Sequence, residues 1–591
     1  MIEQIFEFTK FLLNQNENIQ TASTEGKIIF INANPEEKEV FVSVEDYINE
    51  NKNLYIQGDS KGNKPALFAP LTEPQKTTEK IKKFIEKISN ESKKMKKETI
   101  DFQQILQQLD EKLIDKIKEE LKQIKSNKIF KDQKIFLGIK IYHDGKYKYP
   151  GEIEIIRNIS KKIEEDKLKE NLNKSICSFC KEEKENISDQ TNNVFKFYTV
   201  DKPGFIAGSQ INNFQKEKSW KNYPVCLDCY EILKKSKEIL KNKLSFSMEG
   251  IKYYLIPSII FTKKEAYEEI QTIMELRNKK QELKEAERIT NEQDEILFLL
   301  KDKNFLYFYL LFYEEDNSAE RILLLVEDIP PSNFKKIFES KHKTEKIIEK
   351  YALKNYDYHY YFSKLKKFFI TKQGSLTIES KKFFLDYLES IFKLKKINKN
   401  LLIKHFILNL QNSVQKLNDR PYDFDTLVFD SISNFLFFIN LGLIDLDNLF
   451  SYKEESEFKE EVGGDYMLDK IYSDLKLDNE DKQGLFILGI LTRLLLEEQR
   501  KRLNNTPFFN KLKSLRMTKK DFMDLLPQII NKFQEYDYYS KIQEILYPEA
   551  SEKLLKSKWE MSNEEMNFYF ATGMSLYRKV KDIIYGGDNN D

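Results

Sequence analysis

Two cysteine pairs, Cys177-Ser178-Phe179-Cys180 and Cys226-Leu227-Asp228-Cys229, hold all four cysteines of this 591-residue chain. The two thiolates of a C-x-x-C pair converge on one metal ion, and four thiolates are a common ligand set for structural zinc. We therefore predict a zinc site formed by Cys177, Cys180, Cys226 and Cys229. Because four thiolates leave no open coordination position, this zinc would be structural rather than catalytic. The alternative is a pair of free-thiol turns without metal, or with a redox role.

The segment between the pairs is unusually long. It has 45 residues, whereas a simple zinc ribbon has about 15 to 20, so we expect an insertion that folds out of the ribbon. It contains Lys202-Pro203-Gly204-Phe205 and Lys218-Ser219-Trp220-Lys221-Asn222. Basic side chains beside aromatic ones suit a nucleic-acid surface. The aromatic residues could equally form the core of the small module.

The composition describes a soluble protein whose charges nearly cancel. Lys and Arg number 97 against 96 Asp and Glu, the mean hydropathy is −0.60, and aromatic residues make up 13%. Any nucleic-acid binding must therefore come from local basic patches. Residues 1–25 lack a signal-peptide pattern, and the apolar runs at 305–313 and 427–450 are too short or contain Asp. We expect a cytoplasmic protein, in which reduced cysteines favour metal over disulfide.

The periodicity of apolar residues predicts an α+β fold that is predominantly α. Alternating runs within 26–47 indicate strands, whereas helical spacing dominates 74–126 and most of the chain after 263. We divide the chain into four predicted regions. They are a mixed α/β N-terminal domain (1–173), a four-cysteine zinc-ribbon-like insertion (174–262), a mainly helical middle region (263–423) and a C-terminal helical bundle (424–591). A short hairpin is expected at 298–313 and 321–326.

Three basic stretches are candidates for nucleic-acid contact. Residues 364–404 contain 11 Lys and 3 acids interleaved with aromatic residues. This pattern fits a groove for a nucleic-acid backbone, and it fits equally an amphipathic helix with aromatic residues inward and Lys outward. Residues 500–520 carry eight Lys or Arg and no acid. The loop 58–64, with Lys61, Asn63 and Lys64, is either an ordinary strand connection or a basic loop that reaches nucleic acid.

No stretch of the sequence indicates an active site. It contains no H-E-x-x-H, G-x-S-x-G, P-loop or G-x-G-x-x-G motif, and its four histidines are scattered. The pair His143-Asp144 lies in a glycine turn, where a plain turn is the simpler interpretation. We therefore predict a protein that is not an enzyme. The alternatives are a nucleic-acid-processing enzyme, such as a nuclease, with unrecognised acids, and a zinc-stabilised scaffold that binds no nucleic acid.

The region of the cysteines also resembles a known family. After the first pair comes Phe195-Lys196-Phe197-Tyr198-Thr199-Val200-Asp201-Lys202-Pro203-Gly204-Phe205, and Trp220-Lys221-Asn222-Tyr223-Pro224 precedes the second pair. This arrangement resembles the signature region of the large subunit of type I-B CRISPR interference complexes (Cascade). Weaker similarities are found at Asp144-Gly145-Lys146, at Tyr149–Glu152, at Leu485–Arg502 and at Trp559–Lys579.

The resemblance implies a non-catalytic subunit of an RNA-guided surveillance complex in antiviral defence. Such a subunit would recognise the DNA motif flanking the target, help to open the duplex and recruit the helicase–nuclease. The implied partners are CRISPR RNA, target DNA, and the backbone, guide-processing and small subunits; no membrane is implied. No base-contacting residue can be transferred from the family. From charge and placement, we predict nucleic-acid contacts at Lys61, Asn63, Lys64, Lys202, Lys218, Lys221, Asn222, Arg500, Lys501, Arg502, Lys511, Lys513, Arg516, Lys519 and Lys520.

The resemblance also raises the possibility of a second product from the same gene. In type I-B systems the small subunit resembles the C-terminal part of the large subunit and can arise from an internal start. Gly463-Gly464-Asp465-Tyr466 precedes Met467, and the codons for this stretch can contain a ribosome-binding sequence. Translation from Met467 would give a separate helical protein with the basic residues of 500–520 on one face. The alternative is that Gly463-Gly464 is only a linker.

Overall fold

The structure, a computed structural model, describes most of the chain. The described residues are 1–15, 26–37, 40–48, 51–56, 65–94, 100–126, 134–169, 173–188, 194–197, 220–221, 223–260, 264–283, 296, 300–301, 303, 305–316, 319–352, 358–370, 376–417, 421–446 and 464–585. They form two compact units. One comprises 1–245, 262–285 and 315–321, and the other comprises 246–261, 286–314 and 322–591. The predicted four-region division stays a prediction.

The predominantly α, α+β composition is confirmed. The helices are α1 (Ile2–Gln15), α2 (Lys52–Tyr55), α3 (Pro74–Lys94), α4 (Phe102–Gln108), α5 (Glu111–Ser126), α6 (Glu154–Lys169), α7 (Leu227–Lys243), α8 (Lys264–Leu283), α9 (Pro331–Glu349), α10 (Phe362–Lys366), α11 (Ile378–Lys393), α12 (Lys399–Val414), α13 (Pro421–Asn440), α14 (Gly464–Leu475), α15 (Glu480–Leu503), α16 (Lys519–Glu535), α17 (Lys541–Lys556) and α18 (Asn563–Ile584). The strands are β1 (Gly26–Ala33), β2 (Val40–Asp46), β3 (Phe68–Pro70), β4 (Lys134–His143), β5 (Lys146–Lys148), β6 (Asn173–Ile176), β7 (Glu183–Ser188), β8 (Val225–Cys226), β9 (Ser245–Met248), β10 (Ile251–Ile259), β11 (Leu306–Asp316) and β12 (Ala319–Ile329).

The N-terminal sheet of the first unit has the order β2-β1-β4-β3, with β5 hairpinned onto β4. β1 and β4 run parallel, and their alternate residues serve two different cores because successive side chains point to opposite faces. Ile29 of β1 packs in the aliphatic core formed with α3 to α6. Phe30 packs on the other face in an aromatic cluster with Tyr55 and Phe68. Asp144-Gly145 forms the turn between β4 and β5, and His143 is the last residue of β4.

The cysteine module is a separate small sheet in the same unit. Its strand order is β6-β7-β8, all antiparallel, and α7 follows β8 without a gap. Helix α1 packs against α7, and the Phe6 ring of α1 lies 4.4 Å from the Phe179 ring, which belongs to the first cysteine turn. The module therefore has apolar contacts with the N-terminal helix in addition to its own sheet.

The hairpin of the middle region is present, but its strands have boundaries that differ from the predicted ones. Strands β11 and β12 are each 11 residues long and form one sheet in the order β12-β11-β10-β9. The predicted boundaries at 298–313 and 321–326 were therefore wrong: β11 begins at Leu306, where its pairing with Ile259 of β10 begins, and β12 extends beyond the predicted strand at both ends. A strand that is distant in the sequence thus coincides with the start of β11.

The C-terminal part of the second unit is a helical bundle centred on α15 and α18. Gly489 of α15 and Gly573 of α18 allow these helices to approach each other closely. A Cβ on Gly489 would lie 2.0 Å from the Phe570 carbonyl oxygen, and a Cβ on Gly573 would lie 1.8 Å from that of Phe486. Among the helices that the structure describes, none combines the length and apolar character needed to cross a membrane.

Candidate metal centre and basic surface

The four cysteines come together although the two pairs are far apart in the sequence. One potential ligand atom from each lies within 4.8 Å of every other, and Cys180 Sγ is 3.9 Å from Cys226 Sγ. Sulfur atoms placed about 2.3 Å from a tetrahedral zinc would be about 3.8 Å apart. Cys177, Cys226 and Cys229 are buried, while Cys180 is half-buried. The donor set and its spacing therefore fit one metal ion, as the sequence indicated.

Backbone hydrogen bonds shape the two cysteine turns. The Lys181 N–H donates to the Cys177 carbonyl at 3.0 Å, and Lys181 takes a left-handed conformation (φ 60°), which closes the first turn. The Cys226 N–H donates to the Cys177 sulfur at 3.4 Å. Cys226 is the N-cap of α7, which places Cys229 in the first turn of that helix. Helix dipole and backbone N–H groups both favour negatively charged sulfur here.

The pKa values of three of the cysteines are shifted, and in opposite directions. A hydrogen bond from the Cys229 thiol, helped by backbone N–H groups, lowers the pKa of Cys177 to about 4. Burial raises the pKa of Cys226 to about 11. The pKa of Cys229 is also raised, first by its hydrogen bond to Cys177 and then by burial. Several thiolates at this spacing need a cation to ionise together, so the cluster has the electrostatics of a metal-binding donor set.

Two aromatic residues of the signature, Phe195 and Phe197, belong to the core of the module, whereas Trp220 and Tyr223 are half-buried. Phe195 is fully buried and Phe197 nearly so, with their rings 5.3 Å apart. The Lys237 ammonium of α7 lies 5.4 Å from the centre of the Phe195 ring. This favours the structural interpretation of these two aromatic residues. The Lys221 ammonium is 5.7 Å from the Trp220 ring centre, but Lys202, Lys218 and Asn222 lie outside the described residues.

The lysine-rich stretch 364–404 is built as an amphipathic structure rather than a groove. Its aromatic residues Phe368, Phe369, Phe384, Tyr387 and Phe392 are buried, and Phe383 is partly exposed. Eight lysines are bound to acids or carbonyls: Lys364, Lys366, Lys367, Lys381, Lys393, Lys395, Lys396 and Lys399. The interpretation with aromatic residues inward therefore holds. Few charges of this stretch remain for a nucleic acid.

The basic residues of 500–520 have a different environment. Seven of the eight are exposed, and Arg500 is half-buried. Arg500, Arg502 and Lys513 pair with Glu497, Glu498 and Asp521. Within the part of the chain that the structure describes, no acid lies at ion-pair distance from the others, which are Lys501, Lys511, Arg516, Lys519 and Lys520. We call these five residues the unpaired cations.

The turn that carries several of these cations is rigidly anchored. Residues 513–515 have φ values of 46°, 52° and 59°, a left-handed conformation that costs energy for residues other than glycine. Buried contacts stabilise this left-handed conformation: Leu515 is 1% exposed, and its carbonyl oxygen accepts a hydrogen bond from the Gln411 side chain at 3.1 Å. The Asn567 side chain of α18 accepts from the Met517 N–H and donates to its carbonyl. We call residues 511–520 the basic turn.

The sequence did not connect Trp559 with this surface. The Lys519 ammonium lies 6.0 Å from the Trp559 ring centre, although Lys519 begins α16 and Trp559 lies between α17 and α18. The sequence singled out Trp559 only as the start of the weak family similarity at Trp559–Lys579, and tryptophan occurs only twice in the whole chain. The remaining candidates, Lys61, Asn63 and Lys64, lie outside the described residues.

Comparison with known families identifies the chain. Residues 174–329 match the central domain of CRISPR-associated protein TM1802 (cas_TM1802), and residues 360–587 match the C-terminal domain of the same family. No protein of curated function matches the chain. The first match contains the four cysteines, and the second contains the basic turn and Trp559. The two matches span well over half of the residues and fit the large subunit of a type I-B CRISPR complex, so the chain belongs to the CRISPR-associated protein TM1802 family.

Proposed function

We propose that this protein is the large subunit of a type I-B CRISPR RNA-guided surveillance complex. It recognises the DNA motif that flanks the target, helps to open the duplex and recruits the helicase–nuclease, without a catalytic site of its own. Its partners are CRISPR RNA, target DNA and the backbone, guide-processing and small subunits. Membership of the TM1802 family supports this role.

One observation carries the DNA-binding part of the proposal: the unpaired cations on the anchored basic turn. A surface cation that lacks an acidic partner is solvated by water and has no ion pair to break when it binds. Its contact with a phosphate favours binding strongly, because it releases counterions from the nucleic acid. The turn is held by buried residues and by Asn567, so the cations are presented without a loss of backbone entropy on binding. We therefore assign Lys511, Arg516, Lys519 and Lys520 of the basic turn to the nucleic-acid surface, and with them Lys501, an exposed unpaired cation in the last turn of α15.

The metal proposed for the cysteine cluster is zinc in a structural role. Cys177, Cys180, Cys226 and Cys229 would all be ligands, and the metal would supply the positive charge that four thiolates at this spacing need. Metal analysis of purified protein should find one zinc per chain, and Cys226→Ser should lower that ratio and disturb assembly or target binding. A Cys226→Ser protein that assembles and binds target normally would show that the site is dispensable.

The recognition of the flanking motif is assigned to two segments of the sequence. Lys61, Asn63 and Lys64 belong to one, and Lys202, Lys218, Lys221 and Asn222 belong to the other; each base contact would contribute about 1 to 3 kcal/mol of discrimination. The experiment is a complex assembled with guide RNA and offered targets with randomised flanking bases. Substitution of a motif-reading residue should broaden the preferred flank, whereas substitution of an unpaired cation should weaken binding equally for all flanks.

The separate product from Met467 stays a prediction, and the bundle adds one consequence. In the full chain, the Phe568 ring of α18 packs on Phe406 of α12 at 6.0 Å and on Phe435 of α13 at 5.4 Å. A protein beginning at Met467 lacks both helices, so this face of α18 would need a new partner. Mass spectrometry of the expressed gene should detect the fragment, and changing Met467 should abolish it.

Binding that fails altogether would contradict the proposal. If the assembled complex ignored guide RNA and target DNA, or if purified protein cut DNA with magnesium and a point substitution abolished cleavage, a nuclease would replace the surveillance subunit. If charge reversal at the basic turn left the salt-dependent DNA affinity unchanged, the basic turn would not bind DNA. The alternative of a zinc-stabilised scaffold would then be favoured for this region.

A further inference from the structure

Trp559 lies on the short connection between α17 and α18 in a backbone conformation that is unusual for its side chain. Its φ is 58°, in the left-handed region that bulky residues rarely adopt. The Trp559 N–H donates to Asp481 Oδ2 at 3.1 Å, and Asp481, in the first turn of α15, is 7% exposed. A buried carboxylate therefore holds the strained backbone in place. Such strain persists where the surroundings impose it, often at binding sites.

The indole is presented beside the basic turn. Lys519, the first residue of α16, places its ammonium 6.0 Å from the ring centre. The same turn is tied to α18 by the two hydrogen bonds between Met517 and Asn567, and α18 begins just after Trp559. The ring is only partly buried. An aromatic surface and a set of cations are thus held at a fixed relative position by one bundle.

We propose that Trp559 stacks on an unpaired base of a single-stranded nucleic acid whose phosphates contact Lys519 and the neighbouring cations of the basic turn. This inference rests on the proposed function and specifies which form of nucleic acid this surface takes. A base offers a flat π surface irrespective of its identity, and cations alongside hold the backbone, which is the usual arrangement in sequence-neutral single-strand binding. An intact duplex does not offer this contact, because its bases already stack on one another.

The arrangement favours a nucleic acid over an acidic protein segment. Carboxylates would satisfy Lys511, Arg516, Lys519 and Lys520 equally well, but they would leave the half-buried Trp559, held in a strained backbone conformation, without a role. The strand released when the target duplex opens has both features that the site can use, unpaired bases and a continuous phosphate backbone. The basic turn with Trp559 therefore suits an opened strand rather than the closed duplex.

Tryptophan fluorescence tests the stacking directly in the full-length protein. The chain has two tryptophans, so Trp220→Phe leaves Trp559 as the sole indole. Titration of this variant with oligo-dT should quench the emission to saturation. Adding Trp559→Ala should weaken oligo-dT binding about fivefold or more, and Trp559→Phe should retain most of the affinity, since a phenyl ring also stacks.

An abasic oligonucleotide of the same length is the matched control, because it keeps the phosphates and removes the bases. It should bind more weakly, without quenching and with no response to Trp559→Ala; a duplex should also leave the emission unchanged. Quenching by the abasic strand, or oligo-dT binding that ignores Trp559→Ala, would overturn the stacking and leave the proposed function intact. Failure of the intact protein to bind any of these nucleic acids would overturn both. Thermal unfolding of each variant shows whether a loss of oligo-dT affinity merely reflects misfolding. If Trp559→Ala is misfolded, the affinity of Trp559→Phe decides whether an aromatic ring at this position supports binding.

Discussion

The stretches 364–404 and 500–520 are both rich in lysine, yet the structure uses their charges differently. In the first, Lys364 and Lys367 converge on Asp430 at 3.1 and 2.6 Å, and Lys399 pairs with Glu565 at 3.0 Å. In the second, five of eight cations have no acidic partner among the described residues. Asp430 and Glu565 belong to α13 and α18, which the local sequence of the first stretch does not reveal.

The comparison shows that local charge counts do not reveal which cations already have an acidic partner. A lysine that is paired with an acid must break that ion pair before it can bind a phosphate, and the acid left without its counter-charge then repels the strand. A lysine that is surrounded by water has no ion pair to break and leaves no acid behind. The useful quantity is therefore the number of cations without an acidic neighbour, and this can be counted only in three dimensions.

The largest effect is expected from removing the acid under the first stretch. Asp430 is 2% exposed at its side chain and Lys364 is 13% exposed, so Asp430→Ala leaves a nearly buried ammonium without a counter-charge. We expect a loss of about 3 to 5 kcal/mol in the free energy of unfolding, measured by urea denaturation.

The matched control is Asp445→Ala. Its partner Lys396 belongs to the same stretch, but both side chains are more than half exposed. This change should cost about 0.5 kcal/mol or less. Equal losses for the two variants would mean that the lysines of this stretch do not depend on buried partners.

The next effect concerns the bundle that presents the unpaired cations. Gly489→Ala would put a Cβ 2.0 Å from the Phe570 carbonyl oxygen, so α15 and α18 must separate. Overpacking of this kind should lower the free energy of unfolding by about 2 to 3 kcal/mol. A looser bundle should also weaken DNA binding by the basic turn.

Gly484→Ala on the same helix provides the comparison. Its Cβ would meet the Leu554 side chain at 2.9 Å, and that side chain can rotate away. The gain in helix propensity, about 1 kcal/mol, offsets the crowding, so we expect a change near zero. A loss as large as that of Gly489→Ala would contradict the special role of the helix crossing.

A third prediction compares the two stretches directly in DNA binding. Lys511→Gln, Arg516→Gln and Lys520→Gln together remove three unpaired cations; Lys381→Gln, Lys395→Gln and Lys396→Gln remove three paired ones. The first set should weaken oligonucleotide affinity about 10- to 100-fold at moderate salt and reduce the slope of log K against log salt by about 2, because each lost phosphate contact removes about 0.7 for a single strand. Fluorescence anisotropy measures both quantities.

The second set is the control, because it changes the net charge by the same amount. It should change the oligonucleotide affinity less than about threefold. Similar losses of affinity in both sets would point to net charge alone.

The smallest effect is a pH dependence of the bundle. Burial raises the pKa of Asp425 to about 6, although Arg493 and Arg578 oppose the shift. An unfolded Asp has a pKa of about 4, so the folded state holds this proton more tightly, and stability should fall as the pH rises from about 4 through 6. Allowing for its contact with Arg493, 3.3 Å away, we expect about 1 kcal/mol between pH 5 and pH 7. Asp425→Asn should abolish this part of the dependence in urea denaturation; an unchanged profile would assign it to other groups.

Much of the metal site could be predicted from the sequence, and much of the basic surface could not. The C-x-x-C spacing specifies a turn whose geometry is local, so Cys177, Cys180, Cys226 and Cys229 could be grouped from their spacing alone. The burial of Phe195 and Phe197 could not be predicted, because it depends on packing within the module. The helical character of the C-terminal part follows from its 3.6-residue pattern, whereas the length of β11 depends on its register with β10.

By itself, the sequence determined what is encoded over a few residues: the cysteine turns, the mostly helical fold and the motifs of the family. Only the tertiary structure decided which lysines pair with an acid, which glycines allow two helices to approach closely, and that Trp559 lies beside Lys519. The physical reason is the distance along the sequence between the residues that interact. Turn geometry and helix periodicity arise from neighbours along the chain, whereas charge compensation, close packing and the pairing of an aromatic ring with a cation depend on residues that the fold brings together.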